Sequence, residues 1–192
     1  MYRLFWVILF MLTLAYNIYL EQWYVFIYYT TWTFVVEIIL FTSLLLEDYS
    51  THFKCLANFL FPIVFAPTIL VALGFWILIA PTLSDKISYD FIRIFITHGV
   101  NALAMYTVRR PVFIQDMWKP LAYTVSYSVF LVTYVLLGGR SISGKLPYWY
   151  CEYDRPVGWL FISLSLVAIA LIHAWIARAK PVEQTTTKQC SV

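Results

Sequence analysis

The sequence predicts an all-α integral membrane protein, a helical bundle of six transmembrane helices with almost nothing outside the bilayer. Three observations carry that prediction. Hydrophobic residues make up 62% of the chain and charged residues only 12%, against about 45–50% and about 25% in soluble domains. The apolar residues come in runs close to the roughly 20 that a helix needs to cross hydrocarbon. Aromatic residues, 20% of the chain, gather at the ends of those runs, where amphipathic rings rest at headgroup level.

The first run, residues 4–20, follows Arg3 and lacks a small-x-small cleavage site, so it reads as a retained helix rather than a signal peptide. The second, 24–46, closes on Glu47 and Asp48. The third, 55–80, contains Pro62 and Pro67, which spans tolerate as kinks. The fourth, 91–108, is short and holds Arg93, His98 and Asn101. It reads as a protein-surrounded span, the alternative being an amphipathic segment on the surface. The fifth, 120–137, ends at Gly138-Gly139, and the sixth, 157–177, ends at Arg178 and Lys180. Residues 1–180 therefore form one membrane domain. The polar, Thr/Gln-rich stretch 181–192 has the composition of a disordered tail.

Six spans put both ends of the chain on one side. That side carries Arg3, Lys54, Arg109, Arg110, Lys119, Arg178, Lys180 and Lys188. The other carries only Lys86, Arg93, Arg140, Lys145 and Arg155. The positive-inside rule then places both ends in the cytosol of a plasma-membrane or endoplasmic-reticulum protein. The net charge of +3 and the lack of a basic block argue against nucleic acid as a partner. Membrane lipids are the expected partners, and the oligomeric state is not legible. Cys55, Cys151 and Cys190 have neither CxxC nor Cys/His spacing. Neither a disulfide framework nor a metal site is expected, and no cofactor motif is present. No Asn-x-Ser/Thr sequon occurs.

Polar residues inside spans need a reason, because a charge at mid-bilayer costs about 2.5–3.5 kcal/mol even on the lenient insertion scale. The second span carries Thr30, Thr31, Thr33 and Glu37; the fourth carries His98 and Asn101; the sixth carries His173 near its end. Counted from Tyr24, Thr30 lies roughly 9 Å into the membrane, and counted from Asp90, His98 lies roughly 12 Å in from the same side. The two are therefore expected at nearly one depth. Asn101 shares the face of His98 on a regular helix, and Gly99 leaves room beside the imidazole. A Thr hydroxyl becomes a nucleophile when a neutral imidazole takes its proton, and an Asn or backbone amide can hold the oxyanion. The plainer readings stand beside this one: a span threonine bonded to the carbonyl a turn back, and a histidine gluing helices. Glu37 fits a proton or cation site, and equally a carboxyl paired with Thr or His to hold helices together. His173 reads as structural.

Several of these residues sit in familiar company. Tyr28-Tyr29-Thr30-Thr31-Trp32 resembles the Tyr-Leu-Thr-Asn-Trp element of rolling stone-like membrane proteins, and His98-Gly99-Val100-Asn101 resembles their His-Gly-x-Asn. The stretch from Tyr123 to Gly139 looks like the family's aromatic span ending in Gly-Gly. Tyr148-Trp149-Tyr150 with Asp154 and Pro156 is similar to its Tyr-x-Tyr…Asp-Trp-x-x-Pro loop, with Arg155 where the Trp is expected. Rolling stone-like proteins are in turn similar to the androgen-induced gene 1 family, which hydrolyses fatty acid esters of hydroxy fatty acids with an intramembrane Thr and His. The resemblance implies Thr30 as nucleophile and His98 as its partner; the second threonine leaves Thr31 as an alternative register. Thr31, Glu37 and Asn101 are the candidate supporting residues. Rolling stone itself is associated with myoblast fusion, which implies a different reading, a non-enzymatic surface protein acting through the loop 139–155. An ion or proton pathway through Glu37 and His98 is the third.

Overall fold

The computed structural model describes residues 2–80, 90–108, 110–148, 151–153 and 155–179, and all regular structure among them is helical. Expectations for Asp154, Trp149, Tyr150, Lys86, Arg109 and the 181–192 tail fall outside the described residues.

Helix α1 is Tyr2–Glu21. At Gln22 the backbone takes a positive φ of 53°, the left-handed region in which a single residue can swing a chain out of its helix. Residues Gln22–Ile27 then form a 3₁₀ turn, Tyr28 is extended, and α2 runs Tyr29–Leu46. The second helix thus starts five residues after the apolar run does. Apolarity marks what the membrane accepts, whereas an α-helix also needs its backbone ladder. Here side chains replace part of that ladder: Trp32 Nε1 donates to the Phe26 carbonyl at 2.8 Å and the Tyr127 hydroxyl to the Ile27 carbonyl at 2.7 Å.

Helix α3, Thr51–Gly74, opens on Ser50, whose hydroxyl accepts the His52 N–H, the ordinary serine cap. It passes through Pro62 and Pro67 unbroken and continues into a π-helical turn, Phe75–Ile79. The expected fourth span resolves into α4 (Asp90–Phe95), a second π turn (Ile96–Val100) and α5 (Asn101–Thr107). After a 3₁₀ turn at Ile114–Met117 come α6, Trp118–Leu136, and α7, Pro156–Ala179.

The chain runs to and fro between two ends of the bundle. At one end Arg3, Glu47 and Arg110 meet, and His173 of α7 hydrogen-bonds the Phe113 carbonyl at 2.9 Å. At the other end Tyr28, His98 and the loop after α6 meet. Helix α2 lies between α1 and α3, and α3 also packs on α6 and α7. The core is aromatic and aliphatic, with Phe10, Phe34, Phe41, Phe61, Phe65, Met105 and Ile169 buried together.

The outside of the bundle is apolar too. On α7 the exposed residues include Leu160, Leu164, Val167, Leu171 and Trp175, a stripe at three- and four-residue spacing that water would not tolerate and lipid does. Among the described residues, four stretches are long and apolar enough to cross a membrane: Tyr2–Ile27, Tyr29–Leu46, Thr51–Ile77 and Pro156–Ala179. Helix α6 is diluted by Lys119, Thr124, Ser126, Ser128 and Thr133, and the 90–107 stretch is interrupted by its π turn. Cys55 is disulfide-bonded, which its spacing along the chain did not announce, because spacing says nothing about neighbours in space. Cys151 is a buried free thiol.

Gly138 and Gly139 end α6 as expected, and their geometry says why. The Gly139 N–H returns to the Tyr134 carbonyl at 2.9 Å and the Gly138 N–H to Val135 at 3.0 Å, with Gly138 at φ +85°. That is the two-bond Schellman stop. A Cβ on Gly139 would fall inside contact distance of the Tyr134 ring, whose hydroxyl is held by the Arg140 carbonyl. We expect Gly139→Ala to cost about 1–3 kcal/mol, the usual range for overpacking, read as a lowered melting temperature of the purified protein in detergent.

Candidate active site

The two π turns meet at His98. A π turn widens the helix by one residue and recurs at functional sites. The turn at Ile96–Val100 carries His98 itself, and the one at Phe75–Ile79 supplies its neighbours. The Phe75 ring stacks on the imidazole, centroids 4.0 Å apart at 26°. Trp76 Nε1 donates to the His98 carbonyl at 3.0 Å.

His98 Nδ1 lies 3.1 Å from the Ile94 carbonyl and 2.9 Å from the Thr97 hydroxyl. A carbonyl only accepts, so the contact with Ile94 O is made by a protonated Nδ1, and in the neutral imidazole Nε2 then presents its lone pair. The Thr97 hydroxyl in turn donates to Ile94 O at 3.2 Å. Facing Nε2 at 3.4 Å is the hydroxyl of Thr30. The two residues expected at one depth are therefore neighbours, although not by the route counted from Tyr24. Thr30 is the second residue of α2, in its first turn.

That position matters for the backbone. The first amides of a helix have no carbonyl a turn behind them. Around the start of α2 the Tyr28 N–H goes to Val25 O, Tyr29 to the Tyr148 hydroxyl, and Thr31 and Trp32 to Tyr28 O. The Thr30 N–H has no acceptor among the described residues. The nucleophile candidate thus carries an unspent amide at the positive end of its own helix.

Thr30 and His98 open on a cavity of about 460 Å³, within the range of small-molecule sites. Its apolar walls include Leu14, Val25, Phe34, Phe75 and Ile94. Asn17 and Glu21 of α1 contribute polar groups, and Ser141, Ser143 and Tyr148 cover it from the loop after α6. Tyr148 is held over the start of α2 by the Tyr29 N–H at 3.0 Å and by an edge-on ring contact with Tyr28. Burial pushes its phenol up to about 12, so the hydroxyl stays protonated. Cys151 is no rival nucleophile, since burial raises its thiol and a buried thiol is inert.

The other sequence candidates separate. Thr31 lines the same cavity, but Thr30 is the threonine beside His98. Glu37 and Asn101 do not line it. Both are fully buried, and the Thr68 hydroxyl of α3 donates to Glu37 Oε1. Asn101 faces the same carboxyl, while its Oδ1 accepts the Ala102 N–H at 2.8 Å. The expectation that Asn101 shares the face of His98 assumed a regular helix. The π turn between them rotates Asn101 away, so it does not stand at the Thr30–His98 pair. Gly99 is not a steric requirement either. A Cβ there would sit 3.5 Å from the Phe95 ring and 3.6 Å from Trp76 Nε1, ordinary contacts.

Sequence reasoning missed Thr97, Trp76, Asn17 and the inward turn of the loop. Thr97 is adjacent to His98 and was the most findable; the others come together only through the fold.

No protein-family model, characterised protein or solved structure matches this chain.

Two substitutions distinguish the site from its support. Gly99→Ala should fold at least as well as wild type, by up to about 1 kcal/mol from helix propensity, and keep the Thr30–His98 chemistry. Thr68→Val leaves Glu37 without its donor and should cost about 1–3 kcal/mol, measured as a drop in melting temperature, with the His98 site unchanged by side-chain labelling.

Proposed function

We propose that this chain is an intramembrane hydrolase of lipid esters of the fatty acid type, with Thr30 as nucleophile and His98 as general base. One observation carries the reading: the Thr30 hydroxyl faces Nε2 of His98 at 3.4 Å in a half-open, mostly apolar cavity. That separation is long for a hydrogen bond, as catalytic contacts often are before substrate binds.

The chemistry follows from the atoms. As Thr30 Oγ1 attacks the ester carbonyl carbon, His98 Nε2 takes its proton, and Ile94 O and Thr97 hold the imidazolium through Nδ1–H. The new oxyanion is served by the Thr30 amide and the positive end of α2. His98 returns the proton to the departing alkoxide as the C–O bond breaks, leaving an acyl-threonine and a free alcohol. Water, giving a proton to the same nitrogen, then attacks the acyl carbon; the bond to Thr30 Oγ1 breaks, His98 returns the proton to that oxygen, and a carboxylic acid leaves. The apolar walls suit an acyl chain, and Ser141, Ser143 and Tyr148 suit the polar end of a substrate arriving from the membrane surface.

The reading includes a topology. The 90–107 stretch and α6 cross the bilayer beside the four more apolar helices, six passes with both ends of the chain in the cytosol. Three of their polar residues turn toward the bundle: Thr124 to Tyr29, Tyr127 to Ile27, and Asn101 toward Glu37.

The test is labelling of the purified, full-length protein by a fluorophosphonate. Wild type should label and turn over a fatty acid ester. Thr30→Ala should abolish both, Thr31→Ala should retain both, and His98→Ala should slow them by about 10²–10⁴-fold, the usual worth of a general base. Labelling that survives both Thr30→Ala and His98→Ala, or wild type that hydrolyses no ester, overturns the proposal.

A further inference from the structure

A second cavity, of about 1200 Å³, lies at the opposite end of the bundle from Thr30 and His98. The start of α1, the turn between α2 and α3, and the segment leaving α5 line it. Among the described residues its charged lining is Arg3, Lys54 and Arg110 against Glu47 and Asp48, three cations to two carboxylates.

The imbalance is sharper in detail. Glu47 alone takes both guanidiniums, Arg3 Nη1 at 2.8 Å and Arg110 Nη2. Their other contacts are neutral: Arg110 donates to Asn58 Oδ1 at 2.8 Å, and Arg3 to the Leu44 carbonyl. Among the described residues, two half-buried cations around one anion leave a positive charge uncompensated, which a partly desolvated site makes costly. Burial and the nearby Arg3 both oppose the charge on Arg110. Lys54 adds a third cation with no carboxylate at ion-pair distance among the described residues. Ser50 and Thr51 bring the start of the 24-residue helix α3 to the same space, so its positive end points the same way.

The rim is of opposite character. Tyr2, Phe5 and Tyr106 line the cavity and are each about half exposed, at 50%, 57% and 48%. They lie at helix ends on the outer, apolar side of the bundle. An occupant that satisfies both parts is anionic at one end and hydrocarbon at the other.

We propose that this cavity binds an anionic membrane phospholipid, its phosphate among Arg3, Lys54 and Arg110 and its acyl chains along Tyr2, Phe5 and Tyr106. The phosphate oxygens supply the charge that Glu47 cannot, and Arg is suited to hold them through paired N–H donors. None of these residues belongs to the Thr30–His98 site, so the inference does not rest on the hydrolase reading.

The experiment is native mass spectrometry of the full-length protein released from neutral detergent micelles doped with phosphatidylglycerol or phosphatidylcholine. Wild type should retain phosphatidylglycerol in preference to phosphatidylcholine. Lys54→Gln, which breaks no ion pair, should weaken that retention about fivefold, and Arg3→Gln with Lys54→Gln should weaken it further, in line with the worth of a basic residue near anionic lipid. Thr30→Ala should leave it unchanged. Equal retention of the two lipids, or retention indifferent to Lys54→Gln in a chain that melts like wild type, overturns the proposal. Displacement of phosphatidylglycerol by inorganic phosphate, beyond that caused by sodium chloride of equal ionic strength, also overturns it in favour of free phosphate.

Discussion

The bundle depends on a carboxyl group that has nowhere to go but inward. Glu37 has no exposed surface in the middle of α2, and lipid offers a carboxyl nothing. Other polar residues of α2 satisfy themselves: Thr33 donates to the Tyr29 carbonyl and Ser43 to Ile39, each a turn back along the same helix. Glu37 has no such option and must be met from another helix, which Thr68 of α3 does. That bond fixes how α2 is rotated against α3. Once the rotation is fixed, one end of α2 presents Thr30 to His98 and the other presents Glu47 to Arg3 and Arg110. Both cavities are thus consequences of one helix having a single admissible orientation.

The site that results has the hydroxyl and imidazole of a hydrolase. Among the described residues, the groups beside His98 Nδ1 are the Ile94 carbonyl and the Thr97 hydroxyl. In water-facing enzymes a carboxylate takes that place and stabilises the imidazolium. Inside a membrane protein such a carboxylate would itself need compensation, at the cost that buried charge carries. A carbonyl fixes the same tautomer without adding a charge. The two π turns make that arrangement available, since the widened turn is what carries His98 away from Asn101 and toward Phe75 and Thr30.

What the sequence disclosed follows the same physics. Apolar runs and flanking aromatics reveal where helices lie because the bilayer fixes length and composition; α1, α3, α6 and α7 fall close to where those runs lie. The start of α2 is not legible, because Trp23–Ile27 are as apolar as a helix but Phe26 and Ile27 have their carbonyls taken by Trp32 and Tyr127. Thr30 and His98 were legible as a pair, since depth survives small errors in helix start. Asn101 was misplaced because periodicity assumes 3.6 residues per turn and nothing in Ile96–Val100 announces a π turn. The cation-rich cavity stayed hidden, because Arg3, Lys54 and Arg110 are far apart in the chain and each counts singly only toward the more basic side of the membrane.

The unspent amide of Thr30 has one more consequence. No side-chain substitution can remove it, because it belongs to the backbone at the start of α2. A chain with alanine at this position loses its reagent but keeps the amide, the imidazole and the cavity walls. Under the hydrolase reading such a chain is a receptor: it holds esters it cannot cleave. Recovered from a membrane extract, it would carry with it the molecules the native chain consumes, turning a disabled catalyst into a means of identifying its own substrate.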